Sequence, residues 1–298
     1  MGTGRFLLLL ASAAGCASAG PPTRVVSSHG QPHVARQPAV HADLEAPAAA
    51  EPVAAPELAP LEPPRAPPEA PATSKGRCPA EMALVDDRVC VDRWEGSLLE
   101  RFPGGERPWS AYTVVDGHET SVRAVSQPGV VPQGYISGQQ AQMACVASGK
   151  RLCAADEWER ACRGPRHTTF PYGPTRRARV CNDDVRHVHP VVEVAMRLGL
   201  PPEQWWREAM NLPLINQLPN SLLPTGERKG CTNGYEVFDM VGNLHEWIDD
   251  PEGTFRGGFY MDTTLNGDGC AYATTAHGFR YHDYSTGFRC CMDADPIE

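Results

Sequence analysis

Ten cysteines between Cys78 and Cys291 constrain this chain more than any other feature. The 298-residue chain has eleven, and setting aside Cys16, at the end of an N-terminal apolar run, leaves an even number. An even set in a chain that carries an export signal points to a disulfide framework rather than to free thiols. No two are spaced Cys-x-x-Cys, so a zinc ribbon has little support. Cys78 and Cys90 flank PAEMALVDDRV and read as the staple of a hairpin. Spacing leaves the other pairings open.

The N-terminus supplies the export signal. MGTGRFLLLLASAAGC carries one basic residue, Arg5, an apolar run through Leu10 and small residues up to Cys16. The run is too short to span a bilayer and reads as a signal peptide over residues 1–16. Its last four residues, AAGC, resemble a lipobox, so Cys16 is the expected lipidation site; an ordinary cleaved signal is the alternative. Ser18, two residues on, fits the outer membrane, and the expected location is an exported cell-envelope lipoprotein. No other segment is apolar enough to span a membrane. Residues 17–76 are mostly Ala, Pro, Glu, Val and Gln. Such a segment buries too little apolar surface to offset its ordering entropy and reads as a disordered tether. Its reach is ~180 Å as polyproline helix and ~45 Å as flexible coil. His29, His33 and His41 lie here without regular spacing and read as solvated.

Residues 77–298 are enough for one sizeable core. The formal charge of −9 and the lack of a Lys/Arg stripe argue against nucleic acid as a partner. No solenoid period, nucleophile elbow, P-loop or dinucleotide fingerprint is present. Ser137 with Gln140 forms a capping box for a helix stopped by Gly149, with Ala141, Ala144 and Cys145 facing inward. AADEWERACRG reads as a second helix, acidic at its start and basic at its end, with Trp158, Ala161 and Cys162 on one face. PPEQWWREAMN reads as a third, within an insertion at about 184–230; Trp205 and Trp206 are either core or an exposed ligand platform. With short strand-like runs such as EMALV and VRAVS, the fold class is α+β with much irregular chain.

Several phrases occur in order: CVDRWEGS (Cys90–Ser97), SGKRLCAADEWERACRG (Ser148–Gly164), FPYG (Phe170–Gly173), Cys181–Asn182, NGYEVFDMVGNLHEW (Asn233–Trp247), FRGGFYMD (Phe255–Asp262) and STGFRCC (Ser285–Cys291). This set resembles the formylglycine-generating enzyme, or sulfatase-modifying factor, superfamily. The resemblance implies one domain with a C-type-lectin-like variant fold, low in regular secondary structure. It implies bridges Cys145–Cys290 and Cys162–Cys270, and the remaining cysteines suggest Cys181–Cys231 and Cys153–Cys291. It also implies calcium at Asn243 and Glu246, with a second site at Asn182 and Asp183, since oxygen donors suit that ion. A binding groove is expected at Arg256, Phe259, Tyr260 and Arg289. The two arginines can also fork to carboxylates or carbonyls inside the domain, and Gly257 and Gly258 allow close approach of two chain segments.

In the copper-dependent enzymes of the family a cysteine directly follows the RGGSYM phrase and a second stands five residues later. Their thiolates hold Cu(I), and oxygen activated there converts a substrate cysteine to formylglycine. Here Asp262 and Gly267 stand at those positions, and Phe259 replaces the serine. A carboxylate and a glycine do not make a soft ligand pair, so copper is not expected; Cys270 fits a structural bridge better than the missing ligand. His277, His282 and Asp283 could join Asp262 in a non-haem iron site, or simply hydrogen-bond on an irregular loop. The sequence therefore predicts a lipid-tethered monomer that binds a peptide, protein or glycan and makes no formylglycine. The rivals are an oxidase with a rearranged metal site, including Cys270 or iron, and a purely structural envelope protein.

Overall fold

The segment stapled by Cys78 and Cys90 is a hairpin. Strand β1 (Met82–Val85) pairs antiparallel with β2 (Val89–Asp92), and Asp86 and Asp87 both take positive φ in the turn. That conformation matches the right-handed twist of the flanking strands. This computed structural model describes residues 77–183, 186–207 and 209–296, all within the unit Pro63–Glu298. The signal peptide, Cys16, Ser18, the tether and its three histidines lie outside the described residues.

Strand β3 (Gly96–Phe102) runs between β4 (Gly105–Pro108) and β5 (Val122–Ser126) in a three-stranded antiparallel sheet. Helix α1 (Gly138–Val146) starts at the Ser137–Gln140 capping box and buries Ala141, Ala144 and Cys145. After the short strand β6 (Arg151–Leu152), α2 (Ala155–Arg163) opens with Glu157 accepting from the Ala154 amide at 2.8 Å and buries Trp158, Ala161 and Cys162. Inside the insertion lies a helix the sequence reading missed, α3 (Pro190–Arg197), with proline at its first position. The helix expected around the two tryptophans shrinks to α4 (Pro202–Trp205), followed by a 3-10 turn at Ala209–Asn211. Trp205 is half-buried, its Nε1 donating to the Leu200 carbonyl at 2.8 Å, whereas Trp206 is exposed with its edge against His189. The two rings do not make one platform.

The C-terminal third supplies β7 (His245–Trp247), β8 (Phe255–Arg256), β9 (Ala273–Thr274), β10 (Thr286–Phe288) and β11 (Cys290–Asp293). One sheet has the order β1-β2-β11-β6 and another β10-β7-β8-β9, with β10 and β7 parallel. The architecture is α+β with low regular secondary structure.

Five disulfides compensate for the short ladders: Cys78–Cys90, Cys145–Cys290, Cys153–Cys291, Cys162–Cys270 and Cys181–Cys231. Adjacent Cys290 and Cys291 thus tie β11 to α1 and to the segment before α2. One core cluster surrounds Trp158 and Met240, a second Trp247 and Phe288, and a third packs the insertion through Val191, Val194 and Ile215 against Tyr135, Tyr260 and Tyr284.

Candidate functional site

At the base of the site is a buried ion pair. Arg289 is fully buried; its Nε and Nη2 donate to the two Glu246 carboxylate oxygens at 2.6 Å each, and the Trp158 Nε1 donates to the same carboxylate at 2.6 Å. The remaining guanidinium donors reach the Asp92 and Phe238 carbonyls. Such a fork is the geometry arginine offers a carboxylate, and burial demands that every donor be used. Arg289 is therefore core, not groove.

Protein donors already engage the oxygens at which calcium was expected, those of Asn243 and Glu246. Both Glu246 oxygens face cationic or indole N–H donors. Asn243 donates to Glu95 at 2.6 Å and accepts from Asn182 Nδ2 at 2.8 Å and from the Leu223 amide at 3.0 Å. A cation would have to displace these donors. The second position fits a hard cation better: the buried Oδ1 of Asn182 has no hydrogen-bond partner, beside the Asp183 carboxylate that Arg176 engages at 2.9 Å.

The loop Phe255–Cys270 sits above this base. Phe259 and Asp262 exchange backbone hydrogen bonds, and the Asp262 Oδ1 accepts from the Thr264 and Leu265 amides at 2.9 and 3.0 Å. The carboxylate caps its own turn. Gly258 has φ +71°, and a Cβ there would lie 2.2 Å from the Asp262 carbonyl oxygen. Gly267 has φ +116°, and its Cβ would lie 2.7 Å from the Ala271 carbonyl oxygen. A side chain at 267 thus requires the backbone to move. Cys270 is bridged to Cys162, and the ten cysteines among the described residues are all in disulfides. The donors here do not fit Cu(I), which two thiolates would hold.

The other sequence-predicted site residues separate. Tyr260 is fully buried. Phe259 is half-buried among His245, Tyr260 and Tyr284. Arg256 lies over Trp158, 6.0 Å from the ring centroid and 3.5 Å from Glu159. Of the four expected groove residues, Tyr260 and Arg289 are buried and Arg256 and Phe259 half-buried. His277 stacks on Tyr281 with centroids 3.8 Å apart. His282 contacts Asn211 at 3.0 Å and Asp116 at 3.5 Å. Asp283 is buried and accepts from Tyr281 and Ser285. With Asp262 occupied in its turn, the iron triad is not assembled, and no metal-holding group of three His, Cys, Asp or Glu occurs among the described residues.

Three buried groups escaped sequence reasoning. His245 lies among Phe255, Phe259 and Tyr272, with Nδ1 3.2 Å from the Ser285 hydroxyl and Nε2 3.4 Å from that of Tyr272. Burial disfavours the imidazolium and pulls its pKa down to about 3. Asp239 accepts from the Gly226 amide at 2.6 Å, and burial pushes its carboxyl up to about 7. Burial, with Asp239 and Glu246 nearby, also raises Glu95. Asp239 interrupts the apolar run VFDMV, whereas His245 stands beside Glu246 in NLHEW and Glu95 close to Asp92 and Arg93 in CVDRWEGS, with no signal of their burial.

Several clefts lie among the described residues. A cleft of about 590 Å³ is lined by Gln139, Pro251, Gly278, Phe279, Arg280 and Tyr281. A second, of about 450 Å³, shares Gln139 and Arg280 and adds Asp116, Glu119 and His282. These two follow residues 278–282 against the start of α1, with aromatic, cationic and acidic groups on their walls, and a third, of about 440 Å³, is lined by Asp156, Glu159, Arg160, Arg163 and His167.

A family profile described as sulfatase-modifying factor enzyme 1-like domain matches residues 109–294. No curated protein matches the chain. Among solved structures the chain is similar to the Major Tropism Determinant I1 Variant, at 11% identity over 72% of this chain and 53% of that one, TM-score 0.41. It is similar to CarF at 15% identity over 70% and 87%, TM-score 0.39. It is similar to PvdO from Pseudomonas aeruginosa at 13% identity over 69% and 80%, TM-score 0.41. The chain spans about half the length of the Major Tropism Determinant chain, 53% of it. With the family phrases in order and the profile covering residues 109–294, this chain belongs to the sulfatase-modifying factor enzyme 1-like family.

Proposed function

We propose that this family member is a binding module for a peptide, protein or glycan, held at the cell envelope by a lipid on Cys16 and the tether of residues 17–76, and that it makes no formylglycine. The observation that carries the reading is the loop Phe255–Cys270: Asp262 closes its own turn, Gly267 has no room for a side chain, and Cys270 is in a bridge. Soft-ion chemistry has no ligand pair there. The cleft between Gln139 and Tyr281 is the ligand site, with Arg280 for an anionic group and the Phe279 and Tyr281 rings for an apolar or sugar face. Calcium, where bound, is held at Asn182 and Asp183. Five disulfides support an oxidising compartment, and the apolar N-terminal run supports export.

Two measurements on the purified full chain test this. Supplied with Cu(I), air and a peptide of CxPxR type, it yields no peptide aldehyde and consumes no oxygen; turnover with stoichiometric copper overturns the reading. On peptide and glycan arrays the chain gives hits that Arg280→Ala and Tyr281→Ala both weaken. An array without hits, or hits indifferent to both substitutions, removes the cleft from the proposal.

A further inference from the structure

Four cations distant in sequence meet on one face. Arg177 and Arg179 lie on a turn closed by the Val180 amide on the Arg177 carbonyl at 3.3 Å; Arg228 and Lys229 lie on a turn closed by the Cys231 amide on the Arg228 carbonyl at 2.8 Å. The Cys181–Cys231 bridge joins the two turns, and Val180 packs on Gly230, where a Cβ would sit 3.2 Å from the Val180 side chain. Arg177, Arg179 and Lys229 are exposed and Arg228 is half-exposed.

Arg107, Arg123, Arg151 and Arg160 on other faces are each held by a carboxylate. Among the described residues none lies within ion-pair distance of Arg177, Arg179, Arg228 or Lys229. Arg88, Arg101, Arg166, Arg207 and Arg280 are likewise without an ion pair among the described residues; what sets the four apart is that one disulfide brings their two turns together. Glu227 is the acid in the same turn, and Arg176 is engaged by Asp183. Arg177 lies 4.8 Å above the Tyr172 ring, which steadies it without neutralising it. Arg179 has φ +64°, a conformation that glycine or asparagine adopts more readily. Its side chain faces solvent.

We propose that this face docks on a plane of anionic phospholipid headgroups. The inference rests on the reading that the domain is tethered at a membrane and adds the face it turns toward it. Guanidinium forks match phosphate oxygens in pairs, which favours phosphate over a diffuse negative field. The geometry of the partner follows from net charge. The chain carries −9 overall, so a polyanion wrapped around it would meet repulsion, whereas a plane touches one face and leaves the acidic remainder beyond a Debye length of about 10 Å. On the reading of residues 17–76 as a tether, a reach of ~45 Å as flexible coil is short enough for such weak contacts to matter.

The test uses the full chain with Cys16→Ser, so that no lipid anchor contributes, and co-sedimentation with vesicles. The chain binds vesicles of equimolar phosphatidylcholine and phosphatidylglycerol, does not bind phosphatidylcholine alone, and is released near 1 M salt, where the Debye length falls to about 3 Å. Each charge removed by Arg177→Gln, Arg179→Asn, Arg228→Gln or Lys229→Gln weakens binding by about fivefold. Arg179→Asn does so without lowering the thermal midpoint, and Arg101→Gln, on another face, leaves binding unchanged. Equal binding to neutral vesicles, or binding indifferent to the four substitutions, overturns the proposal. So does displacement by millimolar inorganic phosphate but not by sulfate at equal ionic strength, since that marks a discrete phosphate pocket. Failure of the tether reading appears separately, as an unlipidated N-terminus in the mass of the wild-type chain.

Discussion

At the residue scale this domain invests its buried polar groups in internal pairing. Arg289 is usable in the core only because Glu246 and two carbonyls take its donors. Glu246→Gln leaves the guanidinium buried against a neutral amide, and we expect a loss of about 3–5 kcal/mol in denaturant unfolding. Two other buried groups make the pH dependence a balance. Asp239, raised to about 7, keeps in the folded state a proton that the unfolded chain releases. Its contribution is full at low pH and is lost as pH rises through about 7. His245, lowered to about 3, stays neutral in the fold while the unfolded chain takes up a proton below the ordinary histidine range, so its contribution is lost as pH falls. The two slopes oppose each other between about pH 4 and pH 6.5. Relative to the wild type, Asp239→Asn therefore shifts the slope of stability with pH upward in that window and His245→Phe shifts it downward, each by on the order of 2 kcal/mol from end to end. Urea midpoints at several pH values check both; identical slopes in the wild type and the two variants would contradict the assignment.

At the scale of elements, bridges do what long ladders do in other sheets. Cys181→Ala with Cys231→Ala is expected to cost about 2–4 kcal/mol, because the bridge closes a long loop in the unfolded chain. It also frees the turns carrying Arg177, Arg179, Arg228 and Lys229, so vesicle binding drops further than stability alone explains. The loop Phe255–Cys270 invites the reverse experiment. Asp262→Cys with Gly267→Cys restores both ligand types, yet Gly267 sits at φ +116° against the Ala271 carbonyl oxygen. The double variant is expected to lose stability and to gain no stoichiometric Cu(I) in competition with a chromophoric chelator. Tight binding by a folded double variant would show that the loop adapts. Both helix starts were legible in the sequence, because a capping box and an inward-facing stripe involve residues three and four apart. The helix near Trp205 was not, since Pro201, Pro202 and two tryptophans carry start signals without enough residues to propagate; α3, with Val191 and Val194 inward, took the core position instead.

At the scale of the whole molecule the chain is acidic, with a formal charge of −9, and two of its clefts lie along Gln139, Phe279, Arg280 and Tyr281. The sequence by itself determined what depends on residue type and short spacing. It holds an even set of ten cysteines after Cys16, the faces of α1 and α2, the family phrases, and a loop with a carboxylate and a glycine where two thiolates would be needed. Only the tertiary structure decided which polar groups face each other. It placed Arg289 on Glu246 instead of in a groove, parted His277, His282 and Asp283 from Asp262, buried Tyr260, and gathered four cations from two segments at Cys181–Cys231. The reason is distance: burial, charge pairing and cavity shape are set by through-space neighbours far apart in the chain, whereas capping, periodicity and ligand softness are properties of a few adjacent residues.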